Sequence, residues 1–108
     1  MRKELGKILD VKFGCGGYGD GMIGIEFTLS GSWGEVCDFW GYWSGEVTEY
    51  TKWTDEERKL YLGEVLMKIQ KILDQCDVFY INDLKNKPVE ITFDGNCLKE
   101  WRILTEVI

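Results

Sequence analysis

Residues 54–76 read TDEERKLYLGEVLMKIQKILDQC, and this is the only long stretch of the chain with a helical period. Its apolar residues recur three and four positions apart, as one stripe: Leu62, Val65, Leu66, Ile69, Ile72, Leu73 and Cys76. Thr54 and Glu57 form a capping-box pattern, in which each side chain accepts a hydrogen bond from the other residue's backbone N–H. The stretch therefore predicts one amphipathic helix whose apolar face covers another part of the protein.

Alternating apolar and polar residues before the helix predict strands. The first covers 7–13, with Leu9, Val11 and Phe13 on its buried side, and the second covers 22–29. A third lies within 33–43, and a short fourth is predicted over 47–50. The glycine-dense segment 14–21 predicts a turn, because glycine tolerates backbone conformations that other residues avoid.

Strand-like segments also follow the helix. Residues 78–81 predict a short buried strand, and 89–93 alternate cleanly. Asp94-Gly95-Asn96 is a tight hairpin signal that leads into a last strand over 97–107, with Trp101 and Ile103 on one side. We therefore predict a single α+β domain over residues 1–108, with a mostly antiparallel sheet. The sheet consists of an N-terminal meander and a C-terminal hairpin, and the helix packs across one face.

The charge distribution bears on the partners of the protein. The net charge is −6, and the segment 13–51 has no lysine or arginine. All six of its charged residues are acidic: Asp20, Glu26, Glu35, Asp38, Glu46 and Glu49. Because phosphate backbones bind through lysine and arginine, the sequence disfavours direct nucleic-acid binding and allows capture of a basic protein surface.

The cysteine and histidine content argues against several chemistries. The chain has no histidine, and its four cysteines stand far apart, without the close spacing of zinc ligands. We predict no metal site, no cofactor and no disulfide framework, and interpret the cysteines as small buried hydrophobes with free thiols. Without histidine, the commonest general acid and base is missing, so the sequence favours a protein that is not an enzyme.

Targeting signals are not recognisable in the sequence. The N-terminus lacks the apolar core of a signal peptide, and no apolar run approaches the ~20 residues needed to cross a bilayer. We therefore expect a soluble cytoplasmic protein, in the host cell if a phage encodes it, with no membrane partner.

The glycine-rich segment formally matches a nucleotide fingerprint, as Gly14-x-Gly16-x-x-Gly19. That fingerprint functions where a strand leads through the turn into a helix, whereas here residues 22–29 alternate like a strand. An ordinary glycine-rich hairpin is therefore the better interpretation. Its Tyr18 and Asp20 are candidate contact residues.

An aromatic cluster is the most informative feature for function. Its members are Trp33, Phe39, Trp40, Tyr42, Trp43, Tyr50 and Trp53. Alternation on a sheet buries only about half of such a set on one face. Three interpretations stay open: a core, an interaction surface for another protein or a second copy, and a pocket for a small ligand.

Short motifs resemble those of small uncharacterised proteins of tailed phages and prophages. The matching residues are 11–14 with Gly17 and Tyr18, then 53–54, 87–93 and 101–107. The resemblance implies a context only: an accessory factor that binds host or phage machinery, of which counter-defence inhibitors are one class. It assigns no activity to any residue.

We therefore predict a phage-type accessory protein that binds a host or phage protein, or a signalling small molecule. The candidate binding residues are Tyr18, Asp20, Trp33, Glu35, Trp40, Trp43 and Glu46. The aromatic patch also predicts a homodimer. Two alternatives stay open: a carboxylate-based hydrolase of a sugar or nucleotide, which needs two acids flanking a cleft, and a structural or assembly component.

Overall fold

The long helix is confirmed. The computed structural model describes residues 1–17, 19 and 21–107, and its helix α1 spans Asp55–Cys76. Thr54 is the N-cap, and its hydroxyl accepts a hydrogen bond from the Glu57 N–H at 3.1 Å. Asp77 ends the helix in the left-handed region (φ 53°, ψ 48°), where its N–H donates to the carbonyls of Asp74 and Leu73. The helix is therefore capped at both ends.

Five strands form one antiparallel sheet, which confirms the α+β class. The strands are β1 (Arg2–Gly16), β2 (Met22–Gly31), β3 (Gly34–Trp43), β4 (Pro88–Asp94) and β5 (Cys97–Ile103). Their order across the sheet is β3-β2-β1-β4-β5. The first three strands are the predicted meander, and β4 and β5 are the predicted hairpin, with Gly95 at a positive φ in its two-residue turn.

Strand β1 joins the two halves of the sheet. Its first part, Arg2–Lys7, pairs with β4, and its second part pairs with β2 as far as Gly16. The two parts meet at Lys7, and a bulge just beyond it, between Ile8 and Asp10, leaves Leu9 as the extra residue. Because a bulge shifts the alternation by one position, Ile8 and Val11 are both buried. The prediction that Leu9 shares the buried side with Val11 is therefore wrong, and Leu9 is exposed.

The sheet is strongly curled at β1. In a flat sheet, β3 and β5 would lie four spacings of ~4.8 Å apart, or ~19 Å. Instead, the ring centroids of Trp40 on β3 and Trp101 on β5 are 5.6 Å apart. The side chains of the two outer strands therefore meet over the concave face, which holds most of the core. Its fully buried side chains include Ile8, Ile25, Phe27, Leu29, Val89 and Ile91.

Helix α1 packs against this concave face. Ile69, Ile72 and Cys76 are buried, while Val65 and Leu73 are partly buried against the core. The prediction that Leu66 belongs to the buried stripe is wrong, since this side chain is 62% exposed. It lies at the margin of the contact, where the helix passes the end of the sheet beside Phe13.

The predictions of two short strands are also wrong. Residues 47–50 lead into a turn, in which Thr48 and Thr51 form hydrogen bonds with each other through their side chains and backbone. Residues 78–81 lead into a 3-10 turn over Ile81–Leu84, which buries Leu84. The last strand ends at Ile103, ahead of a second 3-10 turn, and β1 extends to Gly16 into the predicted glycine turn.

The cysteines are free, but three of the four are not buried. Cys15, Cys37 and Cys97 are exposed, whereas Cys76 is buried at the end of α1. The prediction of buried thiols is therefore confirmed only for Cys76. Burial also raises the pKa of the Cys76 thiol, which suppresses the reactive thiolate.

We expect iodoacetamide at neutral pH to alkylate Cys15, Cys37 and Cys97 in the folded protein and to leave Cys76 unmodified until the protein unfolds. Peptide mass spectrometry of native and urea-treated samples measures this. Rapid native labelling of Cys76 would contradict the packing of the helix end.

Tight strand contact makes one glycine essential. Gly24 on β2 faces Gly41 on β3, and a Cβ at Gly24 would collide with the carbonyl oxygen of Trp40. Gly14 is the β1 neighbour of Gly24, and a Cβ there meets nothing within 4 Å. We expect Gly24→Ala to lower the free energy of unfolding by about 1–3 kcal/mol.

Gly14→Ala is the matched control, and we expect it to be neutral or to stabilise the fold by about 0.4–1 kcal/mol. Urea titration followed by circular dichroism gives both values. Equal effects of the two substitutions would contradict the close approach of β2 and β3.

Candidate functional site

A single carboxylate holds two tryptophans together across the concave face. Alternation along β3 places Asp38 and Trp40 on that face. Asp38 Oδ2 accepts hydrogen bonds from Trp40 Nε1 at 2.9 Å and from Trp101 Nε1 at 2.7 Å. Bonds to an ionised acceptor are short and strong, so the carboxylate fixes both indole rings.

Ring packing reinforces this arrangement. The Trp40 and Trp101 rings stack with an interplanar angle of 17°. Phe27 on β2 contacts both, with its ring centroid 4.6 Å from Trp40 and 5.0 Å from Trp101. Since Phe27 is fully buried, the two indoles rest on the core and form a rigid wall.

Helix α1 supplies the opposite wall of a cleft of about 240 Å³. We call it the aromatic–basic cleft, and its lining residues are Trp40, Lys68, Lys71, Ile72, Gln75, Trp101, Arg102 and Ile103. The helical period brings Lys68, Lys71 and Gln75 to one side of α1, while alternation would send Trp101 and Arg102 to opposite faces of β5. Arg102 therefore only borders the cleft, because its guanidinium pairs with Glu106 and with Glu90, its neighbour on β4.

The lining of the cleft is cationic. The Lys68 ammonium lies 4.2 Å from the Trp40 ring centroid, a cation–π contact. Lys71 makes no ion pair within residues 1–17, 19 and 21–107. Arg102 is partly neutralised, because it donates to Glu90 at 3.2 Å and to Glu106 at 3.0 Å. These bonds raise the pKa of Arg102, with Glu106 contributing most.

This arrangement is suited to binding an anion. Two lysine side chains of α1 line the cleft, the described lining contains no carboxylate, and the indoles offer an apolar surface beside the charges. The described lining also lacks a cysteine, serine, threonine or tyrosine that would act as a nucleophile.

The predicted site residues lie in several places. Trp40 lines the cleft, while Trp33 stands in the β2–β3 turn, where its indole donates to the Leu5 carbonyl at 3.0 Å and packs against Phe93. Trp43 stacks on Trp53, with ring centroids 5.3 Å apart. Glu35 and Glu46 are exposed. Tyr18 and Asp20 lie outside the described residues.

These residues do not share one surface. Trp33 and Glu35 lie at one end of β3, roughly 30 Å from Trp43 at the other end of this ten-residue strand, and Glu46 follows Trp43. Sequence reasoning missed Lys68, Lys71, Gln75, Trp101 and Arg102. The spacing of the two lysines and the glutamine along α1 was visible, but it is also typical of a solvated helix face.

The other aromatics are mainly structural. Tyr42 stacks on Tyr61 of α1, with ring centroids 4.7 Å apart, and burial and the nearby Glu57 carboxylate raise the Tyr42 pKa. Trp53 is packed against Trp43, and its indole N–H is buried without a partner in the described structure. These stacks attach the segment between β3 and α1 to the fold. The cluster thus contributes to both core and cleft.

Comparisons with known proteins place no constraint on the cleft. No protein-family model, no curated protein and no solved structure matches this chain. In the described part of the chain, α1 and the shorter turns fall short of the length and apolarity that a bilayer-crossing helix requires. The described residues also contain no group of three or more cysteines and carboxylates arranged to hold a metal ion.

The Asp38 bridge gives a testable stability prediction. Asp38→Ala leaves two indole N–H groups without their acceptor, and we expect the free energy of unfolding to fall by about 2–4 kcal/mol. Asp38→Asn keeps a neutral acceptor and should cost less. Urea denaturation with tryptophan fluorescence measures these changes.

Glu35→Ala is the control on the same strand, and we expect it to change the stability by less than about 0.5 kcal/mol, since Glu35 is exposed. An Asp38→Ala protein as stable as the Glu35→Ala protein would contradict a structural role for the bridge.

Proposed function

We propose that this chain is a small accessory protein, of the phage type that its motifs resemble, which acts by binding a small anionic molecule in the aromatic–basic cleft. One observation carries the proposal. In a chain of net charge −6, Lys68 and Lys71 of α1 line a cleft beside two fixed indoles. The ligand class is an organic phosphate whose apolar or aromatic part lies on the indole wall.

The size of the cleft supports a small ligand. Its volume of about 240 Å³ is slightly below the ~300–1,000 Å³ typical of small-molecule pockets. A phosphate group with a compact organic part would therefore occupy it, and a larger ligand would extend into solvent. Lys71 and Gln75 are exposed, so a ligand reaches them from solution.

The charge arrangement supports selectivity for phosphate over a neutral molecule. Lys68 is oriented by its contact with Trp40, and Lys71 forms no ion pair with the described residues. An anion that binds both ammonium groups gains charge-assisted hydrogen bonds, which are about twice as strong as neutral ones. Because exposed charges are screened by salt, the affinity falls as ionic strength rises.

The hydrolase alternative has less support. Glu26 on β2 and Asp38 on β3 lie on opposite faces of the sheet by alternation, so these two do not flank one substrate. Glu26 forms an ion pair with Lys12, and Asp38 is occupied by two indoles. Glu35, Glu46 and Glu49 are exposed.

A matched pair of probes tests the proposal. We expect adenosine 5′-monophosphate to bind and adenosine to bind at least about tenfold more weakly, because only the former carries the phosphate. Isothermal titration calorimetry at low salt gives the affinities. Native mass spectrometry of protein incubated with bacterial lysate would reveal a tighter natural ligand as a mass adduct.

Charge-removing variants locate the binding site. We expect Lys71→Gln to weaken phosphate binding about tenfold, and Lys59→Gln, on the same helix outside the cleft, to leave it unchanged. Equal affinity of the Lys71→Gln and Lys59→Gln proteins for phosphate would show that the binding site lies outside the cleft. The proposal fails if neither inorganic phosphate nor the nucleotide binds at millimolar concentration and the lysate yields no adduct.

A further inference from the structure

Helix α1 carries a second apolar stripe that points away from the sheet. Leu60 and Met67 are 61% and 72% exposed, and Gly63 lies between them with open space where a Cβ would stand. At about 100° per residue, these three lie within about 60° of one another on the helix, nearly opposite the buried Ile69. Leu66 and Phe13, at 62% and 55% exposure, do not belong to this stripe, because both line the apolar contact between α1 and the end of the sheet.

This exposure is unusual for a helix that already has a core contact. A helix packed on one sheet normally shows one apolar face and one polar face. Here the outer face has leucine, glycine and methionine at positions i, i+3 and i+7, a spacing that packs against another helix. Glycine in the middle lets a second backbone approach closely, and an uncovered apolar surface of this kind marks an interaction site.

The charges at the two ends of the stripe identify the occupant. Glu56 stands four residues before Leu60, and Lys71 stands four residues after Met67. Both are exposed, and neither forms an ion pair in the described structure. When Leu60 contacts Met67 of an antiparallel second helix, Glu56 faces Lys71 of that helix, and the same pair forms again at the other end by symmetry.

We infer that α1 forms a homodimer, in which two copies of the stripe pack antiparallel across a two-fold axis near Gly63 and Glu64. A parallel pair would place Glu56 against Glu56 and Lys71 against Lys71, which is repulsive. The Glu56 and Lys71 pairs therefore favour the antiparallel arrangement of two copies of this chain, whereas Glu64 beside the axis and Asp74 one turn beyond Lys71 contribute like charges. The inference goes beyond ligand binding and depends on different residues, except for Lys71.

Analytical ultracentrifugation of the full chain from about 1 µM to about 500 µM tests the dimer. We expect a shift toward twice the 12.5 kDa chain mass with rising concentration. Met67→Glu should raise the dissociation constant at least about tenfold, because the substitution acts twice in a symmetric interface. Leu5→Glu is the control, since Leu5 is 66% exposed on the other side of the sheet, and it should leave the dimer unchanged.

A charge swap fixes the orientation. Glu56→Lys places two lysines together at each end and should raise the dissociation constant of the dimer about tenfold. The double variant Glu56→Lys with Lys71→Glu restores the pairs and should return the dissociation constant to within about threefold of that of the unchanged protein. Circular dichroism confirms that each variant is folded. Since Glu56 does not line the cleft, phosphate binding to the Glu56→Lys protein separates this inference from the proposed function.

A monomer over the whole concentration range would overturn the inference. So would a dimer insensitive to both Met67→Glu and Glu56→Lys, or a failure of the charge swap to rescue the Glu56→Lys protein. A dimer that Leu5→Glu disrupts as strongly as Met67→Glu does would place the interface on the opposite surface and overturn it as well.

Discussion

The Asp38 carboxylate is the interaction on which the shape of the protein depends. One of its oxygens accepts hydrogen bonds from two indoles that belong to the two outermost strands, β3 and β5. The backbones of these strands do not pair with each other, so side-chain contacts and the packing of α1 against both strands hold the edges together. A half-buried carboxylate is costly unless its hydrogen bonds are made, and the two indole N–H groups have the same need. The carboxylate and the two indole N–H groups therefore satisfy one another's hydrogen bonds, and they come within bonding distance only because the sheet is curled.

The backbone accommodates this curl at two places. One long strand, β1, pairs with β4 through its first part and with β2 through its second, and the bulge at Leu9 bends it just beyond the point where the two parts meet. The facing Gly24 and Gly41 let β2 and β3 approach more closely than side chains would permit. The helix then covers the concave face, and the space left between α1 and the stacked indoles is the aromatic–basic cleft. The candidate site is thus a direct consequence of how the sheet closes.

Local patterns predicted the elements, but not how they meet. The helix, its Thr54 cap, the meander and the Gly95 hairpin follow from short-range signals and are confirmed. The bulge at Leu9 could not be predicted, because a single inserted residue leaves the surrounding alternation almost unchanged in sequence. The contact of Trp40 with Trp101 joins residues 61 positions apart, and the periodicity of apolar residues within an element does not predict contacts over such a separation. The lysines of the cleft looked like a solvated helix face for the same reason: the strands opposite them were unknown.

Lys71 connects the two surfaces proposed for α1. Its position on the helix borders both the cleft and the outer stripe, so its single ammonium group would serve an anion on one side and Glu56 of a second copy on the other. An ammonium group that already pairs with a bound anion attracts Glu56 of a second copy less strongly, so ligand binding and dimerisation would oppose each other. Such coupling is reciprocal: a ligand that weakens the dimer is bound more tightly by the monomer, by the same factor. Lys68 does not take part in this competition, because its contact with Trp40 holds it on the cleft side. The helix therefore has the arrangement needed to link occupancy of the cleft to assembly through one side chain.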